Sequence, residues 1–287
     1  MAAKIIDGKA IAEGILAQTS ARVAQLKNET GRVPGLAAVL VGDDAASKLY
    51  VANKRKACAR AGIYDELHHL PGDCHEDELV VLINNLNNDP KINGILVQLP
   101  LPSHIHKEMV LDEIALEKDV DGISSLNLGK LVSREECFTP ATALAVLKLI
   151  ESTGEKVEGK NIVVVGESVL IGRPVSFLLL NQGATVTTCH RHTKNLAEFT
   201  KKAEVLVSAV GKPNLITHEM VREGAIVIDV GITEVLGENG KRRVVGDVDF
   251  EAVKQVASWI TPVPGGVGPV TVEMLLKNTV KAFEQAI

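Results

Sequence analysis

Apolar residues recur in two rhythms along this chain, and the alternation between them predicts its layout. Continuous apolar runs read as strands buried on both faces: Leu36–Val41, Gly94–Val97, Ile162–Val165, Val205–Ala209 and Ala225–Asp229. Between them, apolar positions three and four apart read as helices over about 45–60, 76–86, 105–116, 141–152 and 171–181, with Gly62 and Gly183 among the stops. The first 30 residues carry Ile11, Ile15, Leu16, Val23 and Leu26 at helical spacing, which predicts one long amphipathic helix ending at Gly31. Leu67–Leu70, Ala184–Thr188 and the pair Val244, Val245 are shorter strand candidates, and further helices are expected near Glu219 and over about 249–257. Strand alternating with helix in this way predicts an α/β fold with parallel sheets.

One stretch forms a complete unit. From Lys160 to Thr193 the pattern runs strand, glycine turn, helix, second strand, with Gly166 closing the first strand and Gly172 near the helix start. A helix opening after a buried strand offers unpaired backbone N–H groups and the positive end of its dipole, which suits a pyrophosphate. The spacing is G-x5-G rather than G-x-G-x-x-G, so an ordinary crossover with no ligand is the competing reading. At the end of the second strand, where an acid would hold ribose hydroxyls, stand Cys189, His190, Arg191 and His192, and a basic residue there favours a 2′-phosphate, hence NADP over NAD. Glu167 opposes that unless Arg191 or Arg173 neutralises it.

Length and composition narrow the class. A chain of 287 residues with 46% apolar and 23% charged positions predicts two globular domains with sizeable cores. A net charge of −5 with no dense basic block argues against nucleic acid as the main partner. Cys58, Cys74, Cys137 and Cys189 are widely spaced with no C-x-x-C pair, so neither a metal site nor a disulfide framework is expected. No signal-peptide pattern opens the chain and no apolar run approaches the roughly 20 residues a membrane span needs, so the expected location is cytoplasmic.

In the first half, candidate chemistry lies at strand ends, where open α/β sheets bind ligands. Tyr50 and Lys54 stand i and i+4 on one helix, which puts a phenol and an amine on one face; a solvated lysine beside a half-buried tyrosine is the plainer reading. Gln98 ends a buried strand as either a turn residue or a hydrogen-bond partner. Asp121 belongs to an Asp-x-Asp-Gly turn whose carboxylates could cap a helix or hold a ring edge with paired donors. Near the end, residues 261–269 (TPVPGGVGP) are read as neither helix nor strand but as a binding loop leading into a last helix over about Val270–Gln285.

These pieces together resemble one family, the bifunctional methylenetetrahydrofolate dehydrogenase/cyclohydrolases. The matching segments are residues 50–63 (YVANKRKACARAGI), 94–102 (GILVQLPLP), 118–122 (KDVDG), the G-x-S-x-x-x-G-x-P turn at 166–174, 224–232 (GAIVIDVGI), 244–250 (VVGDVDF) and 261–276 (TPVPGGVGPVTVEMLL). They span nearly the whole chain in the family's order. The resemblance implies two α/β domains flanking a cleft: a folate-binding catalytic domain over 1–139, and a Rossmann-like, doubly wound NADP-binding domain over 140–269. The last helix, 270–287, is expected to pack back on the first domain, and a homodimer is implied.

For the residues, the resemblance makes Lys54 the cyclohydrolase lysine, Tyr50 the ring that packs on folate, Gln98 the partner of Lys54, and Asp121 the holder of the pterin edge. Leu99, Pro264, Gly265, Gly266 and Val267 fall on the folate side, and Gly166, Glu167, Ser168, Gly172, Arg173, Arg191 and Ile232 on the cofactor side. The implied activity is oxidation of methylenetetrahydrofolate with NADP followed by hydrolysis to 10-formyltetrahydrofolate, a step of one-carbon metabolism. The chain departs from the family pattern at Glu167, at Ile123, Ser124 and Ser125 after the Asp-Gly turn, and at Phe138 before Thr139 and Pro140. A short-chain dehydrogenase also uses Y-x-x-x-K, but after its glycine turn rather than before it. A monofunctional NAD-dependent dehydrogenase would lack a usable lysine, and a non-catalytic nucleotide sensor would have lost Lys54, Gln98 and Asp121.

Overall fold

A computed structural model describes residues 2–236 and 242–287. In chain order its first half comprises β1 (Lys4–Ile5), α1 (Gly8–Thr30), β2 (Gly35–Val41), α2 (Ala45–Ala61), β3 (Tyr64–Leu70), α3 (Glu76–Asn88), β4 (Gly94–Val97), α4 (Lys107–Asp112) and α5 (Ser125–Ser133). The second half comprises α6 (Ala141–Glu151), β5 (Asn161–Val165), α7 (Gly172–Asn181), β6 (Thr185–Cys189), α8 (Leu196–Thr200), β7 (Val205–Ser208) and β8 (Ile226–Asp229). It ends with β9 (Thr233–Leu236), β10 (Arg242–Val245), α9 (Phe250–Val253), β11 (Trp259–Ile260) and α10 (Val267–Gln285). The chain divides into two compact units, one formed by the segment ending at Ala12 with Thr142–Thr271, the other by Glu13–Ala141 with Val272–Ile287.

The second of these units is built on a three-stranded parallel sheet in the order β3-β2-β4. All seven residues of β2 are buried, which is why its sequence is an unbroken apolar run rather than an alternating one. Ala37, Val39 and Val41 share a core with Leu79 and Ile83 of α3 and with Ile95 and Val97 of β4. The other unit carries a six-stranded sheet in the order β1-β11-β8-β7-β5-β6, parallel throughout. The strand order reverses at β5, because β6 lies on one side of it and β7 on the other; a doubly wound sheet binds ligands at the carboxyl ends of such strands.

Several sequence expectations are corrected. The N-terminal helix begins at Gly8, because Lys4 and Ile5 pair as a strand with Trp259 and Ile260. The expected helix over 105–116 is cut to Lys107–Asp112 followed by a 3-10 turn at Leu116–Lys118, and the one over 249–257 to Phe250–Val253. Val244 and Val245 belong to β10, which forms an antiparallel ribbon with β9 and joins neither parallel sheet. The last helix starts at Val267, so Gly268 and Pro269 are helical; proline in a first turn forfeits no intrahelical bond, since that N–H has no partner there in any case.

Within the three-stranded unit, α10 is anchored by the Nδ2 of Asn278, which donates to Val120 O at 2.8 Å and to Thr139 O at 3.0 Å. Upstream on the same helix, Glu273 is 6% exposed and its Oε2 has no hydrogen-bond partner. Burial pushes its carboxyl up to about 7, with Arg60 pulling it down and Glu13 adding to the rise. A carboxyl whose folded pKa exceeds its unfolded value holds its proton more tightly when folded, so stability falls as pH rises from about 4.5 to about 7 and is flat above that. Glu273→Gln removes the ionisation, and its thermal midpoint should exceed that of the wild type by about 5 °C at pH 8, with the difference nearly gone at about pH 4. Equal midpoints at pH 8 in a thermal scan would show that the carboxylate is solvated in the folded chain.

Candidate active site

The helix α2 is started by the Asp44 carboxylate, which accepts from the Ser47 N–H at 2.7 Å, and stopped by Gly62 in a left-handed conformation. Tyr50 and Lys54 stand one turn apart on it, and their exposures reverse the plainer sequence reading. Tyr50 is 39% exposed, whereas protein surrounds most of Lys54. The Lys54 Nζ donates to Gln98 Oε1 at 3.1 Å. Gln98 is itself fixed twice: its backbone N–H continues the β2–β4 ladder to Val39 O at 2.8 Å, and its Nε2 donates to Leu99 O at 2.6 Å. The Nε2 bond to Leu99 fixes which way the amide faces and turns its oxygen to the lysine. The Leu99–Pro100 and Val263–Pro264 peptides are cis.

The Asp-x-Asp-Gly turn divides its two carboxylates between the two roles the sequence left open. Asp119 is 1% exposed and accepts from the N–H groups of Gly122 at 3.0 Å, Ile123 at 3.3 Å and Ser124 at 2.9 Å, and from Asn127 Nδ2 at 2.7 Å. Asp119 therefore holds the turn. Asp121 is left to act on its surroundings: burial raises its pKa, with Lys54 lowering it and Asp119 raising it further. Burial likewise lowers the Lys54 pKa, and the charge of Asp121 resists that fall. Lys54 and Asp121 thus form a desolvated pair of opposite charge, in which each offsets part of the other's desolvation. Cys58, one further turn along α2, is pushed up to about 12 by burial and is a neutral thiol at physiological pH.

In the six-stranded unit, Gly166 follows β5 at the point where the strand order reverses. Its φ is 121°, and a Cβ there would strike the carbonyl of Ala209, the residue after β7. A Cβ on Gly172 would strike the Gly166 carbonyl. Both glycines are therefore required by close backbone approach, and the turn between them is the candidate cradle for an anion. The unpaired N–H groups lie elsewhere than the sequence suggested. Those of Ile171 and Gly172 reach Ser168 Oγ at 3.2 and 3.4 Å, that of Arg173 reaches Ser168 O at 3.0 Å, and Pro174 has none. At this turn the N–H groups of Glu167, Ser168, Val169 and Leu170 are the ones given no acceptor within the described residues.

Glu167 is paired by Arg173, whose Nη2 lies 3.6 Å from Oε2 and whose Nε donates to the Glu167 carbonyl at 3.0 Å. Arg191 instead donates from Nε to His192 Nε2 at 3.1 Å, so its guanidinium takes no part in that ion pair. Of the two arginines the sequence offered to neutralise Glu167, the structure uses Arg173.

The description "Tetrahydrofolate dehydrogenase/cyclohydrolase, catalytic domain" matches residues 6–121, and the NAD(P)-binding domain of the same family matches residues 140–287. This chain belongs to the tetrahydrofolate dehydrogenase/cyclohydrolase family. It is 54% identical over 282 residues to the bifunctional protein FolD of Moorella thermoacetica, covering 98% of this chain and 99% of that one. Among solved structures, the bifunctional FolD enzyme of Campylobacter jejuni superposes with a TM-score of 0.95 at 46% identity over the full length of both chains. The Trypanosoma brucei enzyme, complexed with NADP cofactor and inhibitor, superposes with a TM-score of 0.95 at 41% identity, covering 99% of this chain and 98% of that one.

As a member of the tetrahydrofolate dehydrogenase/cyclohydrolase family, the chain also carries the loop through Pro264, Gly265 and Gly266 that leads to Val267 at the head of α10. The aliphatic stem of Lys9 lies over Gly265, with Cε 3.3 Å from where a Cβ would stand. Nothing in the sequence marks Lys9, because the two segments are some 250 residues apart and are brought together by the β1–β11 pairing and by the packing of Gly8 on Gly266. Ile232 follows β8 and is 46% exposed. A cavity of about 250 Å³ lies at the opposite, amino ends of the strands, where Lys160 pairs with Glu155 at 3.0 Å, away from the glycine cradle. No helix among the described residues is long and apolar enough to cross a membrane.

Proposed function

We propose that Lys54 is the hydrolytic residue of this chain, which oxidises 5,10-methylenetetrahydrofolate with NADP and then hydrolyses the methenyl product to 10-formyltetrahydrofolate. The observation that carries the second step is the Lys54 Nζ bond to Gln98 Oε1 at 3.1 Å, in a setting that lowers the amine's pKa. An amine that deprotonates below the ordinary lysine range takes up the proton released as water adds to the methenyl carbon. As the carbon–nitrogen bond then breaks, Lys54 returns that proton to the departing nitrogen, while the new hydroxyl proton leaves to solvent. Gln98 keeps the amine aimed throughout. Asp121 accepts the paired donors of the pterin edge and limits the fall in the Lys54 pKa, and Tyr50 packs its ring on the folate. We assign Leu99, Pro264, Gly265, Gly266 and Val267 to folate contacts on the family resemblance.

The bound nucleotide supplies the hydride acceptor. On the chain's side, the fit rests on the Gly166 and Gly172 cradle, the free N–H groups of Glu167, Ser168, Val169 and Leu170, and the exposed Ile232. Arg191 offers a forked pair of donors to a 2′-phosphate, while Arg173 screens the Glu167 carboxylate. The same resemblance supports a cytoplasmic homodimer.

NADP preference is tested by initial rates of methylenetetrahydrofolate oxidation with each nucleotide. The wild type should favour NADP, and Arg191→Ala should lower kcat/KM for NADP by about tenfold or more while changing NAD by less than about twofold. Because Glu167 already has a cationic partner, Glu167→Ala should improve NADP use only about two- to threefold. A wild type faster on NAD, with Glu167→Ala impairing that rate, would mean that Glu167 holds the ribose hydroxyls.

A further inference from the structure

Two buried aspartates occupy the carboxyl ends of β7 and β8, and neither has a role in the account above. Asp247 is 0% exposed and accepts from Ser208 Oγ at 2.9 Å, from the Val210 N–H at 2.7 Å and from the Lys212 N–H at 2.8 Å. Asp229, 4% exposed, accepts from the N–H groups of Gly231 at 3.1 Å, Asp247 at 3.0 Å and Val248 at 2.9 Å. Asp229 therefore fixes the backbone on which Asp247 stands, and Asp247 fixes the arc 209–212. The packing around both carboxylates is tight: a Cβ on Gly231 would overlap Asp247, and one on Gly246 would overlap Asp229.

The clamped arc borders the nucleotide cradle. Ala209 is the residue whose carbonyl abuts Gly166, and Val210, 46% exposed, follows it on the same loop. With the N–H groups of Val210 and Lys212 both turned to one buried carboxylate, the intervening Gly211 is carried through a φ of 77°, and the loop has little freedom left. We infer that Asp247 is a positioning residue for the nucleotide: by clamping the arc after β7 it sets the wall of the cradle against Gly166, and so governs nucleotide affinity without touching the hydrolytic group. A preformed wall binds without first having to order its loop, which is where the affinity comes from. This rests on the assignment of the 166–172 turn to NADP.

The test uses Asp247→Asn and Ser208→Ala in the full chain. Asparagine offers one oxygen and an NH2 where two N–H groups and a hydroxyl require acceptors, so the arc must shift; Ser208→Ala removes one of the three bonds and is the milder change. Calorimetric titration with NADP should show the dissociation constant raised by about tenfold or more in Asp247→Asn and by about threefold in Ser208→Ala. Hydrolysis of methenyltetrahydrofolate without nucleotide should stay within about twofold of the wild type in both, because the arc and Lys54 belong to different units. If Asp247→Asn does not fold, Ser208→Ala alone decides the matter. An unchanged NADP dissociation constant in a folded variant, or equal loss of binding and of hydrolysis, overturns the inference. Failure of the wild type to bind NADP at all would instead sink the underlying assignment.

Discussion

Lys54→Met should abolish hydrolysis of methenyltetrahydrofolate, with turnover falling by at least about a thousandfold, while the NADP dissociation constant stays within about twofold of the wild type. Methionine keeps the length and most of the volume of the lysine stem but has no titrating group. Packing against α2 is then largely preserved, and the loss reports on the amine. Gln98 would be left with an unsatisfied oxygen, since its Nε2 is already committed to Leu99, and a modest loss of stability should accompany the loss of activity. The pH dependence is a second reading of the same residue. Burial lowers the Lys54 pKa, so the hydrolysis rate should rise with pH through an inflection below 10.5, the ordinary lysine value. Because the charge of Asp121 opposes that fall, Asp121→Asn should move the inflection further down. Turnover that persists in Lys54→Met would remove the lysine from the chemistry.

Gly172→Val is the second large effect, and it acts on the other activity. A Cβ at this position collides with the Gly166 carbonyl, and valine adds two further methyl groups to the collision. The backbone must then separate at the head of α7, where Ser168 Oγ takes the Ile171 and Gly172 N–H groups at 3.2 and 3.4 Å. Opening that turn disperses the N–H groups of Glu167–Leu170, so NADP affinity should drop by about a hundredfold or more. Methylenetetrahydrofolate oxidation should be lost with it, whereas hydrolysis, seated in the other unit, should persist. Retained NADP affinity by calorimetry would mean that the nucleotide lies elsewhere.

How far the sequence carried this account depended on the range of the forces involved. The strands Gly35–Val41, Gly94–Val97 and Asn161–Val165 were legible because a parallel strand buried on both faces must be apolar at every position. Lys4–Ile5 and Thr233–Leu236 were not, since a two-residue strand and an exposed ribbon leave no such run. Lys54, Gln98 and Asp121 were legible as candidates through their places on predicted elements. Their division of labour was not, because what separates Asp119 from Asp121 is a set of bonds that includes Asn127, eight residues on. Nor could the sequence choose between Arg173 and Arg191 as the partner of Glu167. Asp229 and Asp247 stand within matching motifs, but their role is not legible there, as their partners lie up to 39 residues away.

The central claim is that one chain carries two separable chemistries, hydrolysis on the Lys54 group and nucleotide binding on the Gly166–Gly172 turn. The most direct test measures both in the same preparations of wild type, Lys54→Met and Gly172→Val: formation of 10-formyltetrahydrofolate from the methenyl compound without nucleotide, and calorimetric titration with NADP. The account predicts that Lys54→Met loses only the first and Gly172→Val only the second. Loss of both functions together in each folded variant, or hydrolysis surviving in Lys54→Met, would contradict it.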